Sequence, residues 1–124
     1  ILMNLNWFCP DNLDEYLDNL EKRLASERAF EKVIEAINAL AILFLKQKRF
    51  ELPLEDTKAF EIIANKNVIS KNLAFNLKQA KGMRNFLAHQ YDKVDDELVF
   101  NAIHDKLFDD VERFIKSIKD NLKA

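Results

Sequence analysis

One ten-residue stretch, Gly82-Met83-Arg84-Asn85-Phe86-Leu87-Ala88-His89-Gln90-Tyr91, gathers side chains of this chain that could do chemistry. A guanidinium can grip a phosphate through two parallel N–H donors, and an imidazole titrating near about pH 6.5 can take and return a proton. On a helix, Asn85 and His89 are four residues apart and share a face. Arg84 and His89 are five apart and diverge by about 140° while the helix stays regular. They converge if the helix ends near Leu87, or if two copies of the chain meet. Taken singly, His89 reads first as a satisfied structural histidine, and Tyr91 as an amphipathic residue capping the core.

The helix that must carry these residues is unusual on both sides. Arg84 falls inside the apolar arc formed by Leu73, Leu77, Ala80 and Leu87. A charge there is costly unless it is paired or opens on a cleft. Arg84 either snorkels outward or meets an acid such as Glu35, which lies deep in the preceding long helix. The opposite side carries Phe75, Gly82 and Phe86. Gly82 is the single glycine of the chain, and in mid-helix it costs roughly 1 kcal/mol relative to Ala. A small residue between two Phe points to close approach of another backbone. A two-fold homodimer through Phe75, Gly82 and Phe86 is the simplest expectation.

Other chemistries find little support. The two His, His89 and His104, show no HxxxH or HExxH spacing, so no metal site is expected. His104, without comparable polar neighbours in sequence, reads as structural. There is no glycine-rich phosphate loop, and Ser26, Ser70 and Ser117 have no His nearby in sequence. No cofactor is expected.

The elements that position the motif are helices. The chain has 124 residues, 48% of them apolar and 32% charged, with one Gly and two Pro. That leaves almost no turn chemistry for hairpins, so the expected fold is an all-α, antiparallel up-and-down bundle of about five helices. A first helix is expected over Asp11–Leu24 and a long second one to about Lys48, with Phe30, Val33, Ile34, Ile37, Leu40, Ala41 and Phe44 on one face. Residues 49–54 form a connection, because Pro53 disfavours helix before it. A short helix over Thr57–Ala64 and a loop over Asn65–Ile69 follow. Ser70 is a plausible N-cap for a helix from Lys71 to between Leu87 and Tyr91. A last helix, capped by Asp95 or Asp96, is expected to run unbroken to Leu122.

Residues 12–124 are expected to be one helical domain and residues 1–11 an N-terminal extension. The opening stretch lacks a cationic segment and is not expected to be a signal peptide. No run approaches a membrane span. The single Cys9 excludes an intramolecular disulfide and fits a cytoplasmic setting.

The net charge of −2 is unevenly spread. Residues 64–91 contain no acid, against Lys66, Lys71, Lys78, Lys81 and Arg84. An acidic total argues against broad nucleic-acid binding, but this strip could engage phosphates. It could equally be a solvated face or a dock for an acidic partner.

The motif, read as R-x4-H-x-Y, resembles the signature of the HEPN superfamily in its HepT-like toxin branch. The similarity extends to Ala25–Ala36, to Ala59–Ala64 with Val68-Ile69-Ser70, and to Tyr91–Asp95 with Leu98-Val99, covering roughly residues 12–120. The resemblance implies a homodimer with two R-x4-H motifs facing across a cleft. It also implies a metal-independent ribonuclease toxin, with a minimal nucleotidyltransferase antitoxin as partner. Carried over residue by residue, Arg84, Asn85 and His89 become the catalytic set and Tyr91 the adenylylation target. From the basic strip, and not from the resemblance, Lys71, Lys78 and Lys81 are the expected RNA contacts. The alternative is a non-catalytic HEPN module that docks a nucleotidyltransferase or binds nucleotide.

Overall fold

The computed structural model describes Pro10 and residues 12–55, 58–89 and 96–122, with the backbone alone at residues 87–89. Among the described residues all regular structure is helical: α1 (Leu13–Asp18), α2 (Leu20–Gln47), α3 (Ala59–Asn65), α4 (Lys71–His89), α5 (Asp96–Ala102), a π-helical turn (Ile103–Leu107) and α6 (Phe108–Leu122). They form the expected antiparallel all-α bundle, with α4 packed against α2, α3 and α6. No helix among the described residues is long and apolar enough to cross a membrane.

Helix ends follow from local hydrogen bonding. The Asn12 side chain accepts from the Asp14 and Glu15 N–H groups, starting α1. The Asn19 side chain accepts from the Lys22 N–H at 3.0 Å and starts α2. The first break therefore falls at Asn19 and not after Leu24, because a side-chain cap in extended backbone outweighs the helical pattern running through it. Ser70 Oγ accepts from the Leu73 N–H at 3.0 Å, as expected of an N-cap. With the one glycine inside α4, the left-handed residues that close α2 and α3 are Arg49 (φ 58°) and Asn67 (φ 63°). There Phe50 N–H reaches Leu45 O at 2.9 Å and Val68 N–H reaches Ile63 O at 3.3 Å, satisfying the last carbonyls.

The core is aromatic and aliphatic. Phe30, Phe44, Phe60 and Phe114 are buried, and Phe60 meets Phe114 edge-on at 5.5 Å between ring centres. The last helix is not the single regular element expected. Its Ile103–Leu107 segment is π-helical, and Leu122 at its end is 48% exposed. His104 is structural, as expected: its Nε2 lies 2.8 Å from the Pro10 carbonyl and its ring packs on Phe100 at 4.3 Å.

Two buried carboxyls tie helices together. Burial pushes the carboxyl of Asp110 on α6 up, against the opposing effect of Asn76 on α4. Glu27 of α2 is raised to about 7, first by burial and then by a hydrogen bond to Asp96 and its charge, with Arg23 opposing. Asp96 also pairs with Arg23 at 3.6 Å. Below its ordinary value of 4.5 this group is protonated in both folded and unfolded chains; above it, only the folded chain holds the proton. Its contribution is thus fully present below that value and is lost as pH rises through about 7. Urea unfolding should show the protein losing stability between about pH 5 and 8. Glu27→Gln should flatten that slope and be the more stable form at the alkaline end.

Candidate functional site

Arg84 is held on two sides. Its Nη2 donates to Glu35 of α2, and its Nη1 donates to Asn85 Oδ1 at 3.2 Å. The Arg84 side chain is 22% exposed and that of Glu35 is 46% exposed, so the pair sits at the mouth of the α2–α4 seam. Of the two expectations for this charge in an apolar register, pairing is the one observed. The Glu35 carboxyl is held below its ordinary range, chiefly by the hydrogen bond from Arg84, against the opposing effect of burial. The charges of Arg84, Arg28 and Lys81 add to the lowering. Arg84 Nε is buried and has no hydrogen-bond partner among the described residues.

The remaining candidate residues separate into groups. Lys71 and Lys78 share a cavity of about 260 Å³ with Phe75, Glu61 and Asn65 between α3 and α4. Lys78 is committed there to Glu61 at 2.7 Å, each shifting the other toward its charged form. Lys81 is buried, 7% exposed, and its charge is felt by Glu35 on the opposite seam. The basic strip is therefore not one surface.

Phe75 and Phe86 are 58% and 40% exposed, and a Cβ built on Gly82 would meet nothing within 4 Å. Phe75 also borders a second cavity, of about 430 Å³, floored by the π-helical turn and rimmed by Met83, Leu98 and Asp110. The second apolar face of α4 thus stands uncovered by the described residues. α4 is continuous to His89, so His89 lies about 140° around the axis from Arg84 and about 7.5 Å along it. The side chain of His89, and Tyr91 altogether, lie outside the described residues, as do residues 1–9 and the Asp95 cap. Among the described residues no group of three or more His, Cys, Asp or Glu is placed to hold a metal ion.

One polar residue at the seam was missed in the sequence. Asn38 of α2 is 8% exposed, and its Oδ1 has no hydrogen-bond partner among the described residues. It follows Glu35 by three residues on the same face, and its place in the apolar stripe between Ile37 and Ala41 was the available signal.

A family model described as Ribonuclease HepT-like matches residues 2–118. The chain belongs to the HepT-like family. It is 28% identical over 102 residues to the tRNA nuclease HepT of Aphanizomenon flos-aquae, covering 82% of this chain and 69% of that protein. Against the mRNA nuclease HepT of Shewanella oneidensis it is 29% identical over 89 residues, 72% of this chain and 66% of that one. The matches thus span about two thirds of the length of these relatives. The fold is similar to that of the tri-AMPylated Shewanella oneidensis HEPN toxin in its complex with MNT antitoxin, at a TM-score of 0.88 and 22% identity over 96% of this chain and 88% of that chain. It is also similar to the cytosolic protein YutE of Bacillus subtilis, at a TM-score of 0.82 and 19% identity over 98% and 82% of the two chains.

Replacing Arg84 by Gln removes the main cause of the Glu35 shift. In Arg84→Gln the Glu35 carboxyl should titrate closer to the ordinary glutamate value than in the native protein, as read by carbon-detected NMR. An unmoved titration would mean that the pair is not formed in solution.

Proposed function

We propose that this HepT-like chain is the metal-independent ribonuclease toxin of a toxin–antitoxin pair, acting in the cytoplasm as a two-fold dimer. The observation that carries the reading is Arg84, a guanidinium fixed by Glu35 and Asn85 at the mouth of a helix seam within a motif of the R-x4-H-x-Y pattern. Cleaving RNA without a metal needs a base for the ribose 2′-OH, an acid for the departing 5′-oxygen, and charge stabilisation at the phosphorane. Attack of the 2′-oxygen on phosphorus leaves a 2′,3′-cyclic phosphate and a free 5′-OH. Arg84 supplies the charge, His89 moves protons, and Asn85 orients the guanidinium.

Each chain has one such His, and its Arg and His diverge on one helix. A dimer through Phe75, Gly82 and Phe86 provides two copies of each and covers the open face of α4. Lys71 and Lys78 contribute to RNA approach from the α3 side, and Lys81 acts from within the α2–α4 seam. Kinship with the two HepT nucleases supports RNA cleavage. Likeness to the tri-AMPylated Shewanella toxin, bound to its MNT antitoxin, supports an MNT nucleotidyltransferase as the partner that modifies Tyr91.

Two experiments test this reading. Purified protein incubated with RNA should cleave it in the presence of a chelator, and Arg84→Ala or His89→Ala should lower the rate by ~10²-fold or more while the helical content holds. Cleavage that the chelator stops, or that survives His89→Ala, overturns the mechanism. Adenylylation of Tyr91 would add bulk and negative charge two residues beyond His89, competing with a substrate phosphate for Arg84. Intact-mass analysis after co-expression with an MNT partner should show added nucleotide on the native chain and none on Tyr91→Phe; nucleotide on Tyr91→Phe would rule out Tyr91 as the target.

A further inference from the structure

The Arg84–Glu35 contact gives a role to a residue outside the motif, and that role rests on the ribonuclease reading above. A guanidinium has five N–H donors. In Arg84, one on Nη2 goes to Glu35, one on Nη1 goes to Asn85, and the Nε–H is buried without a hydrogen-bond partner among the described residues. Among the described residues one hydrogen on each Nη is left without a partner. Donors on two adjacent guanidinium nitrogens are what two phosphate oxygens can accept side by side.

Glu35 also stands among more than one cation. On α2, Arg28 lies two turns before Glu35 on the same face, and on α4, Lys81 lies one turn before Arg84. Arg28 reaches Glu31 at 3.4 Å, while Lys81 is buried. The charges of Arg84, Arg28 and Lys81 all favour the ionised Glu35. Without its carboxylate, these cations would face one another across the seam. The Arg84 guanidinium would lose the contact that fixes it to α2.

We propose that Glu35 is the positioning residue for Arg84: it anchors one Nη against α2 so that the two remaining Nη–H donors form a fork for the scissile phosphate, and its charge moderates the grip of the surrounding cations on RNA. The two effects pull apart in a variant. Losing the anchor slows turnover, whereas losing the negative charge tightens ground-state binding to a polyanion.

The test is steady-state cleavage of one RNA oligonucleotide by the native protein, Glu35→Ala, Glu35→Gln and Arg84→Ala, with rates normalised to the folded fraction from circular dichroism. In Glu35→Ala, kcat should fall about tenfold or more while KM stays level or falls, with a steeper salt dependence of binding. In Glu35→Gln, which keeps an acceptor at the same reach, kcat should return to within about threefold of native while KM stays at or below the native value. A purely structural Glu35 would lower the folded fraction and leave kcat per folded molecule unchanged. That result, alongside an inactive Arg84→Ala, overturns the positioning role and leaves the ribonuclease reading standing. A KM that rises in both Glu35 variants also overturns it, and a native protein that cleaves no RNA overturns both.

Discussion

A positive charge in an apolar register of α4 is the constraint that the site depends on. Arg84 can occupy that position because α2 presents Glu35 at the same level, and α2 reaches that level because it runs unbroken for 28 residues. The pair is partly open to solvent, and exposed pairs of this kind contribute only about 0–1 kcal/mol. Burial of one core phenylalanine, worth roughly 1.5–3 kcal/mol, outweighs it. Stability therefore resides in Phe30, Phe44, Phe60, Phe114 and their neighbours, and the ion pair is better understood as geometry. It sets where a guanidinium sits and which of its donors are left over.

Much of the bundle could be read from residue patterns because its causes are local. Ser70 caps α4 with the hydrogen bond its residue type allows, and the three-to-four spacing from Phe30 to Phe44 follows the buried side of α2. Two features escaped for physical reasons. The break at Asn19 lies inside a stretch whose pattern is continuous, and only the cap geometry separates α1 from α2. The π-helical turn at Ile103–Leu107 accommodates a wider turn without disturbing the buried sequence Ile103, Leu107, Val111, Phe114. Apolar spacing cannot register a change in hydrogen-bonding partner when the same residues still point inward.

The site was readable in part for a similar reason. The chain order shows that residues 64–91 carry bases and no acids, but charge along a helix says nothing about which neighbour each base faces. In the fold, Lys78 turns to Glu61 of α3, Arg84 turns to Glu35 of α2, and Lys81 is buried. Glu35 could be named in advance because few acids lie deep in α2. For Asn38 the sequence offered only its place in the apolar stripe of α2; that its amide oxygen is left without a hydrogen-bond partner among the described residues is visible only in the fold.

Helix geometry bears most directly on the proposed second copy. A regular helix through His89 keeps the Arg84 and His89 positions about 140° apart around its axis, and on the proposed reading a second copy brings the complementary half of each site. The same helix leaves Phe75 and Phe86 exposed and an open space over Gly82. An uncovered apolar face carrying a glycine that costs helix stability, on the helix that carries the motif, is most economically accounted for by a partner backbone passing close to it. On the proposed reading, the glycine is retained because the approach of that backbone brings the motif of one chain toward that of the other. The destabilised position on α4 and the divided motif then have a single physical origin.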